Sequence, residues 1–195
     1  MNRLTSLRIA PIAVLAALLA LFAITSPATH AADPRVIIDT SKGQIEVELL
    51  SKMSPRTVAN FLELVDAEFY DGLIFHRVIA NFMIQGGGLT PEMKQRQVDS
   101  SVPNESFNGV PNRRGTLAMA RLTDPDSAST EFFINVKDNA HLDALPGQPG
   151  YTVFGRVSAG MEVVEDIELV NTHLFKGFAA VPEEPIIINS IRRLD

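Results

Sequence analysis

The chain has 195 residues, a net charge of −6, 46% hydrophobic residues and no cysteine. An acidic chain lacks the cationic face that nucleic acids and anionic membranes attract, so we exclude both as partners. Without cysteine there is neither a disulfide nor a cysteine-linked lipid anchor, and the fold must rely on its own hydrophobic core.

The first 31 residues are typical of a signal peptide. Arg3 and Arg8 form a short basic region, the 16 residues of 9–24 are almost all apolar, and small residues follow over 26–32. The apolar run is shorter than the roughly 20 residues that span a bilayer comfortably. We therefore predict export and cleavage between about residues 28 and 32, with an uncleaved membrane anchor as the alternative. The mature domain, residues 33–195, would then have no stable membrane association and a net charge of about −8.

The mature domain is predicted to begin with two strands and a helix. Residues 35–40 and 43–50 are rich in β-branched side chains and flank a short turn, which is typical of a hairpin. Ser54 and Pro55 are favoured at the N-cap and the first turn of a helix. One apolar stripe of this helix, which we expect to cover a core, consists of Val58, Phe61, Leu62, Val65 and Phe69.

From residue 73 onward, short β-type runs alternate with glycine, proline, asparagine and aspartate. The strand candidates are residues 74–79, 82–85, 116–120, 131–136, 151–157 and 185–191. A second helix is predicted from Gly160 to about Val170, with Met161, Val164 and Ile167 towards the core and Leu169 as a further candidate. Many spaced strands with two helices favour a mainly β fold, a closed barrel capped at its ends. The long polar loop over 89–111 is expected to lie at the functional site.

Residues 75–88, FHRVIANFMIQGGG, place one permanent cation and one neutral amide among large apolar side chains. Arg77 and Gln85 in such surroundings suit a small, uncharged ligand that contains an amide. The three glycines are not followed by the Lys-Ser/Thr pair of a phosphate loop. The four histidines lack metal-ligand spacing, so no metal and no cofactor is expected.

Three segments resemble, in order and spacing, the three signatures of the cyclophilin family of peptidyl-prolyl isomerases. They are FHRVI with FMIQGG over 75–87, GTLAMAR with STEFFI over 115–134, and LD with YTVFGRV over 142–157. The resemblance runs from about residue 36 to residue 191 and is greatest to the periplasmic branch of Gram-negative bacteria. It implies a closed antiparallel eight-stranded barrel capped by two α-helices. It also implies a periplasmic enzyme, expected to be a monomer, whose partners are unfolded or partly folded proline-containing polypeptides.

The implied reaction is rotation about the peptide bond before proline, whose barrier is about 18–20 kcal/mol. No covalent bond breaks, so neither a nucleophile nor a proton shuttle is required. A fixed donor aimed at the proline nitrogen would stabilise the twisted state more than either planar state. Arg77 is the candidate catalytic residue, because a guanidinium stays charged and presents rigid N–H groups. The alternative for Arg77 alone is a surface arginine in an ordinary salt bridge.

The resemblance also assigns the substrate-binding residues. The walls of the proline slot would be Phe82, Met83, Phe133 and Leu142, which without the family would be interpreted as core residues. Gln85 would hydrogen-bond the substrate backbone, and Ala120 and Arg121 would offer main-chain groups. The alternating residues Phe75, Ile84 and Phe132 are expected to point to the opposite face.

Three binding positions depart from the familiar eukaryotic pattern. His141 stands where a tryptophan often contacts cyclosporin, so weak cyclosporin binding is expected, and Tyr151 stands where a histidine is common. Glu131 replaces a usual glutamine; it would either favour basic residues near the proline or pair with a nearby arginine. The alternative to an isomerase is a chaperone module that binds proline segments with little relevant turnover.

Overall fold

The computed structural model describes residues 33–194, so the predicted signal peptide lies outside the described residues. The elements in chain order are β1 (Arg35–Thr40), β2 (Gly43–Leu49), α1 (Pro55–Asp66), β3 (Ile74–Ile79), β4 (Met83–Gly86), β5 (Thr116–Met119), β6 (Phe132–Asn135), β7 (Val153–Ala159), α2 (Met161–Glu168), β8 (Thr172–Phe175), β9 (Phe178–Pro182) and β10 (Ile186–Leu194). No helix among these residues is both long and apolar enough to cross a membrane.

Eight of the strands close into a barrel, in the order β1-β10-β3-β4-β6-β5-β7-β2. Every neighbouring pair in it is antiparallel. The prediction of a closed antiparallel eight-stranded barrel with two α-helices is confirmed.

The two remaining strands, β8 and β9, form a separate hairpin that the sequence pattern did not predict. All four residues of β8 are exposed, so the strand lacks the alternation of buried and exposed side chains that marks a half-buried strand. Lys176 and Gly177 form its two-residue turn, with φ of 49° and 87°. Positive φ at both turn residues matches the twist of the flanking strands, but Lys-Gly is a weaker signal than Asn-Gly.

The barrel interior is a continuous apolar core. Strands β1 and β2 each direct every second side chain inward, so that Val36, Ile38, Ile45 and Val47 are fully buried. Helix α1 covers the interior with its predicted stripe: Phe61 is fully buried, and its ring lies 5.1–5.7 Å from three other aromatic rings. This core holds the strands that carry the site.

Two predictions at the helix ends were wrong in detail. Phe69 lies beyond the end of α1 and is only partly buried. In α2, Val164 and Ile167 are buried as predicted, whereas Leu169 is 76% exposed. The reason is that Leu169 follows Ile167 by two residues, about 200° around the helix axis, so it points away from the face that holds Val164 and Ile167.

Ser54 occupies the N-cap of α1, but its side chain does not cap the helix. The Ser54 hydroxyl is buried and donates instead to the Val153 carbonyl at 2.7 Å. Glu105 of the long loop supplies the cap: its carboxylate accepts from the backbone N–H groups of Arg56 and Thr57, at 3.2 and 2.9 Å. A carboxylate at this end also interacts favourably with the helix dipole. The loop is thereby attached to the barrel.

A second apolar cluster lies on the outer face of the barrel. Its buried members are Met83, Ala118, Phe133 and Val153, and its partly buried members include Phe82, Ala120, Leu142 and Tyr151. Phe75, Ile84 and Phe132, which were predicted to point to the opposite face, belong to the interior core. The outer cluster is therefore the surface on which a site can form.

Candidate functional site

Strand register brings the predicted polar and apolar residues into one row. Arg77 pairs with Gln85 across β3 and β4, Gln85 pairs with Phe133 across β4 and β6, and Phe133 pairs with Ala118 across β6 and β5. Paired residues on neighbouring strands are close enough for their side chains to interact. The row therefore places a cation, an amide and an aromatic ring side by side.

A β-bulge turns Arg77 towards this row. The register of β3 against β4 shifts between Phe75 and Arg77, so one extra residue, His76, is inserted there. In a regular strand Phe75 and Arg77 would point to the same face. Because of the bulge, Phe75 lies in the interior core while Arg77 reaches the outer face.

The predicted apolar walls lie together beside Arg77. Met83 and Phe133 are 1% and 4% exposed. The Tyr151 ring meets the Phe133 ring edge-on at 5.7 Å, and exposed His141 stacks on Phe82 at 5.6 Å. Leu142 packs against the same cluster. The result is an apolar slot with polar aromatic tips at its rim, which suits a proline ring.

Arg77 borders this slot without an ion pair. Its side chain is half-buried, and its Nη1 donates to Gln85 Oε1 at 3.2 Å and lies 4.0 Å from Met83 Sδ. Within residues 33–194 Arg77 forms no salt bridge, so the ordinary surface ion pair is not its arrangement. Its positive charge faces the slot without a neutralising carboxylate.

A chain of polar contacts leads from Arg77 to Glu131. Gln85 Nε2 donates to Glu131 Oε2 at 2.7 Å, and His76 Nε2 lies 3.5 Å from the same oxygen. Glu131 therefore pairs with an amide and a histidine, and the expectation that it pairs with a nearby arginine is wrong. An ionised carboxylate can only accept, so it orients the Gln85 amide with Nε2 towards Glu131 and Oε1 towards Arg77.

His76 is a residue of the site that the sequence did not indicate. It is 5% exposed, and its Nδ1 is buried without a hydrogen-bond partner among the described residues. Burial lowers the pKa of His76, Glu131 opposes that shift, and Arg77 adds to it. A neutral imidazole whose Nε2 lies 3.5 Å from the Glu131 carboxylate fits these surroundings.

Gly88 makes room for Glu131. A Cβ atom at Gly88 would overlap the Glu131 carboxylate. The third glycine of the 86–88 run therefore serves the packing of this acidic side chain.

Ala120 and Arg121 lie on the other side of Glu131. The Ala120 N–H already donates to the Glu131 carbonyl at 2.9 Å, so its carbonyl is the group left for a peptide. The Arg121 guanidinium lies 4.7 Å above the Tyr151 ring and donates to the carbonyls of Pro149 and Gly150 at 3.1 and 3.3 Å. The Arg121 side chain thus braces the Tyr151 wall.

Two buried asparagines, Asn135 and Asn139, support the rim of the slot, and the sequence indicated neither of them. Asn139 Nδ2 donates to the Phe82 carbonyl at 2.8 Å and to Asn135 Oδ1 at 2.7 Å. Asn135 in turn donates to Thr116 Oγ1 at 2.9 Å. The available signal was one asparagine inside a β-type run and another three residues after it, and asparagine by itself predicts a turn.

An open cleft of about 520 Å³ adjoins the slot. It is lined by Gln85, Ala120, Arg121, Leu122, Glu131 and part of the loop over 95–101. The expectation that the long loop borders the site is thus met by its geometry.

Comparisons with known proteins show what the chain is similar to. The family model described as "Cyclophilin type peptidyl-prolyl cis-trans isomerase/CLD" matches residues 35–193. A peptidyl-prolyl cis-trans isomerase of Streptomyces antibioticus is 49% identical over 162 residues, which cover 82% of this chain and 98% of that protein. Peptidyl-prolyl cis-trans isomerase A of Dickeya dadantii is 45% identical over 182 residues, 92% of this chain and 96% of that protein.

Solved structures are similar as well. One is the crystal structure of a cyclophilin-type peptidyl-prolyl cis-trans isomerase of Cryptosporidium parvum in the presence of the dipeptide Ala-Pro. It is 27% identical with a TM-score of 0.69, and the match covers 83% of this chain and 99% of that one.

Proposed function

The chain belongs to the cyclophilin-type peptidyl-prolyl cis-trans isomerases, and we propose that it isomerises Xaa-Pro bonds of exported proteins in the periplasm. Uncatalysed rotation about such a bond takes tens to hundreds of seconds, which is slow enough to limit folding. Periplasmic clients would therefore gain folding speed from this enzyme.

In this proposal the slot binds the proline ring and Arg77 acts on the bond before it. When that bond twists, amide resonance is lost, and the proline nitrogen becomes pyramidal and basic. An Arg77 N–H then donates to the nitrogen, an interaction that neither planar state can make. A 10⁵-fold acceleration corresponds to a barrier lowered by about 7 kcal/mol, of which one preorganised donor supplies roughly 3–4 kcal/mol.

The single observation that supports this role is the position of the Arg77 charge. The guanidinium borders an apolar slot, is held by a neutral amide and has no carboxylate partner among the described residues. An ion-paired arginine would have its donors occupied. The remaining binding energy would come from burial of the proline ring against Met83 and Phe133.

The test is isomerisation of a blocked Ala-Pro peptide by wild type, Arg77→Ala and Arg156→Ala. Arg156 is a surface arginine that pairs with Glu48, so its removal controls for the loss of one positive charge. We expect Arg156→Ala to match wild type and Arg77→Ala to lose about 10²- to 10³-fold in kcat/KM. Equal activity of wild type and Arg77→Ala would contradict the proposed role.

The export part of the proposal is supported by residues 1–31. The match with the Dickeya dadantii isomerase covers 92% of this chain, more than residues 33–195 alone could supply, so it extends into this segment. Expression of the full chain in a Gram-negative host, followed by cell fractionation and mass spectrometry, tests it. We expect a periplasmic protein whose first residue lies between 29 and 33. An uncleaved chain in the inner-membrane fraction would instead support the anchor.

A proline-binding chaperone with little turnover is distinguished by its response to Arg77→Ala. A chaperone would keep full protection of an unfolded client from aggregation in that variant, although catalysis is lost. If catalysis is the function, the variant should lose its acceleration of proline-limited refolding and should no longer protect the client fully.

A further inference from the structure

A second cleft, of about 470 Å³, is lined by Arg77 and shares Gln85, Gln95 and Glu131 with the first cleft. Its polar lining consists of His76, Arg77, Gln85, Gln95 and Glu131. Its apolar lining consists of Leu89, Met93, Phe178 and Ala179. We call it the hairpin cleft, since Phe178 and Ala179 belong to β9. Its volume falls in the range of cavities that bind small ligands.

The wall formed by the hairpin rests on the barrel. Val181 of β9 is 4% exposed and packs in one cluster with Ile74, Leu89 and Met93. The β8–β9 hairpin is therefore seated on β3 by buried side chains, although its tip is exposed.

The opposite wall, the loop over 88–96, is also fixed. Within it, the Thr90 N–H donates to the Lys94 carbonyl and the Arg96 N–H donates to the Gly88 carbonyl, both at 2.9 Å. The Arg96 guanidinium anchors the loop to the carbonyls of Phe69 and Asp71, at 2.6 and 3.0 Å.

A single hydrogen bond joins the two walls. Lys176 Nζ, at the turn of the hairpin, donates to the Glu92 carbonyl at 2.9 Å. The hairpin cleft is thus preformed, and a ligand that binds there would not have to order its walls. Preorganisation of this kind lowers the entropic cost of binding.

The apolar wall of the cleft is accessible. Phe178 is 41% exposed and Ala179 is also exposed, beside the buried Leu89 and Met93. The cleft floor carries amide and carboxylate groups of Gln85, Gln95 and Glu131, which can bind peptide N–H and C=O groups. Apolar side walls over a floor that binds backbone groups suit an extended polypeptide with an apolar side chain.

We propose that the hairpin cleft is a binding site for an apolar side chain of the same polypeptide whose proline occupies the slot. The cleft is continuous with the slot because Arg77 and Gln85 border both. A second side chain a few residues from the proline reaches it, since an extended chain advances about 3.3–3.6 Å per residue. The proposal rests on the proposed isomerase function and names the substrate class: unfolded segments in which a leucine-like residue lies near a proline.

The test uses blocked octapeptides with one Ala-Pro bond. Leucine or serine is placed two or three residues before or after the proline, and KM and kcat are measured with the purified protein. In wild type we expect at least one leucine peptide to show a KM roughly fivefold below that of its serine counterpart. Phe178→Ser and Ala179→Asn should abolish that difference without changing turnover of the serine peptides.

Leu174→Ser is the matched control. Leu174 is on the same hairpin and 74% exposed, but it does not line the cleft, so this variant should keep the preference for leucine. Thermal unfolding of each variant shows whether the hairpin still folds. Ala179→Asn adds a polar amide without deleting a packed side chain and without a charge near Arg77, so it reports on the cleft even if Phe178→Ser loosens the hairpin.

Two results would overturn the proposal: equal KM for every leucine and serine pair in wild type, or a preference that survives in both cleft variants. Peptide affinities measured by fluorescence anisotropy distinguish failure of the cleft proposal from failure of the proposed isomerase function. If the serine peptides were bound but not isomerised, the proposed function would fail. A leucine preference in affinity that depends on Phe178 would still support the cleft.

Discussion

Replacement of Glu131 by lysine reverses the polarity of the side chain that orients Gln85. In wild type the carboxylate accepts from Gln85 Nε2 at 2.7 Å, so Gln85 Oε1 faces Arg77 and accepts from its Nη1. A lysine can only donate. The Gln85 amide would flip so that its Oε1 accepts from the lysine ammonium. Its NH₂ group would then face the Arg77 guanidinium, and two donors cannot form a hydrogen bond with each other.

The expected loss of kcat/KM follows from the strength of the lost hydrogen bond between Gln85 and Glu131. A hydrogen bond to a charged group contributes about 1.5–3 kcal/mol, and Glu131 is 26% exposed at its side chain, which favours the lower end. If a misoriented Arg77 stabilises the transition state by about 1.4 kcal/mol less than in wild type, kcat/KM falls about tenfold. Glu131→Gln can still accept from Gln85 Nε2, so we expect it to stay within about threefold of wild type.

The assay is isomerisation of the blocked Ala-Pro peptide by Glu131→Lys, Glu131→Gln, Gln85→Ala and the double variant Gln85→Ala/Glu131→Lys. If lysine acts through the amide, it should add little to the loss caused by Gln85→Ala. An undiminished tenfold loss in the Gln85→Ala background would refute this reasoning, because lysine would then obstruct the groove directly. So would a Glu131→Lys variant as active as wild type.

Three further outcomes are expected. Burial lowers the pKa of His76 below 6.5, so at acidic pH the unfolded chain binds a proton at this residue more readily than the folded one. The free energy of unfolding, measured in urea, should therefore fall as the pH drops below about 6.5. His76→Gln should flatten that part of the pH profile. Glu105→Ala removes the cap of α1 and should lower the free energy of unfolding by about 1 kcal/mol, whereas an unchanged urea midpoint would exclude the cap. Gly88→Ala displaces the Glu131 carboxylate and should lower kcat/KM a few fold, an effect that should vanish in a Glu131→Ala background.

Elements with a strong local signal could be predicted from the sequence. The strands over 35–40 and 74–79 were predicted with their observed bounds, because each is a β-branched run between turn residues. The β8–β9 hairpin was missed because its strands bury little and its stability comes from Val181, which packs against distant residues. Tertiary contacts of that kind leave no periodic pattern in the sequence.

The residues of the candidate site could be listed from the sequence, but their partners could not. The structure places all eleven predicted residues around one slot and groove, although their roles remain predictions. The bulge at His76 and the contact between Glu131 and Gln85 depend on how β3, β4 and β6 align. Glu105, which caps a helix some fifty residues earlier in the chain, carries no local signal at all.

The most direct test of the account is to measure kcat and peptide affinity separately in the Arg77→Ala variant. NMR exchange spectroscopy on a blocked Ala-Pro peptide gives the rate of interconversion on the enzyme, and titration gives the Kd. If Arg77 stabilises the twisted bond, kcat should fall about 10²- to 10³-fold while Kd changes no more than about threefold. A Kd that rises as much as the rate falls would show that Arg77 only binds the substrate, and would contradict the account.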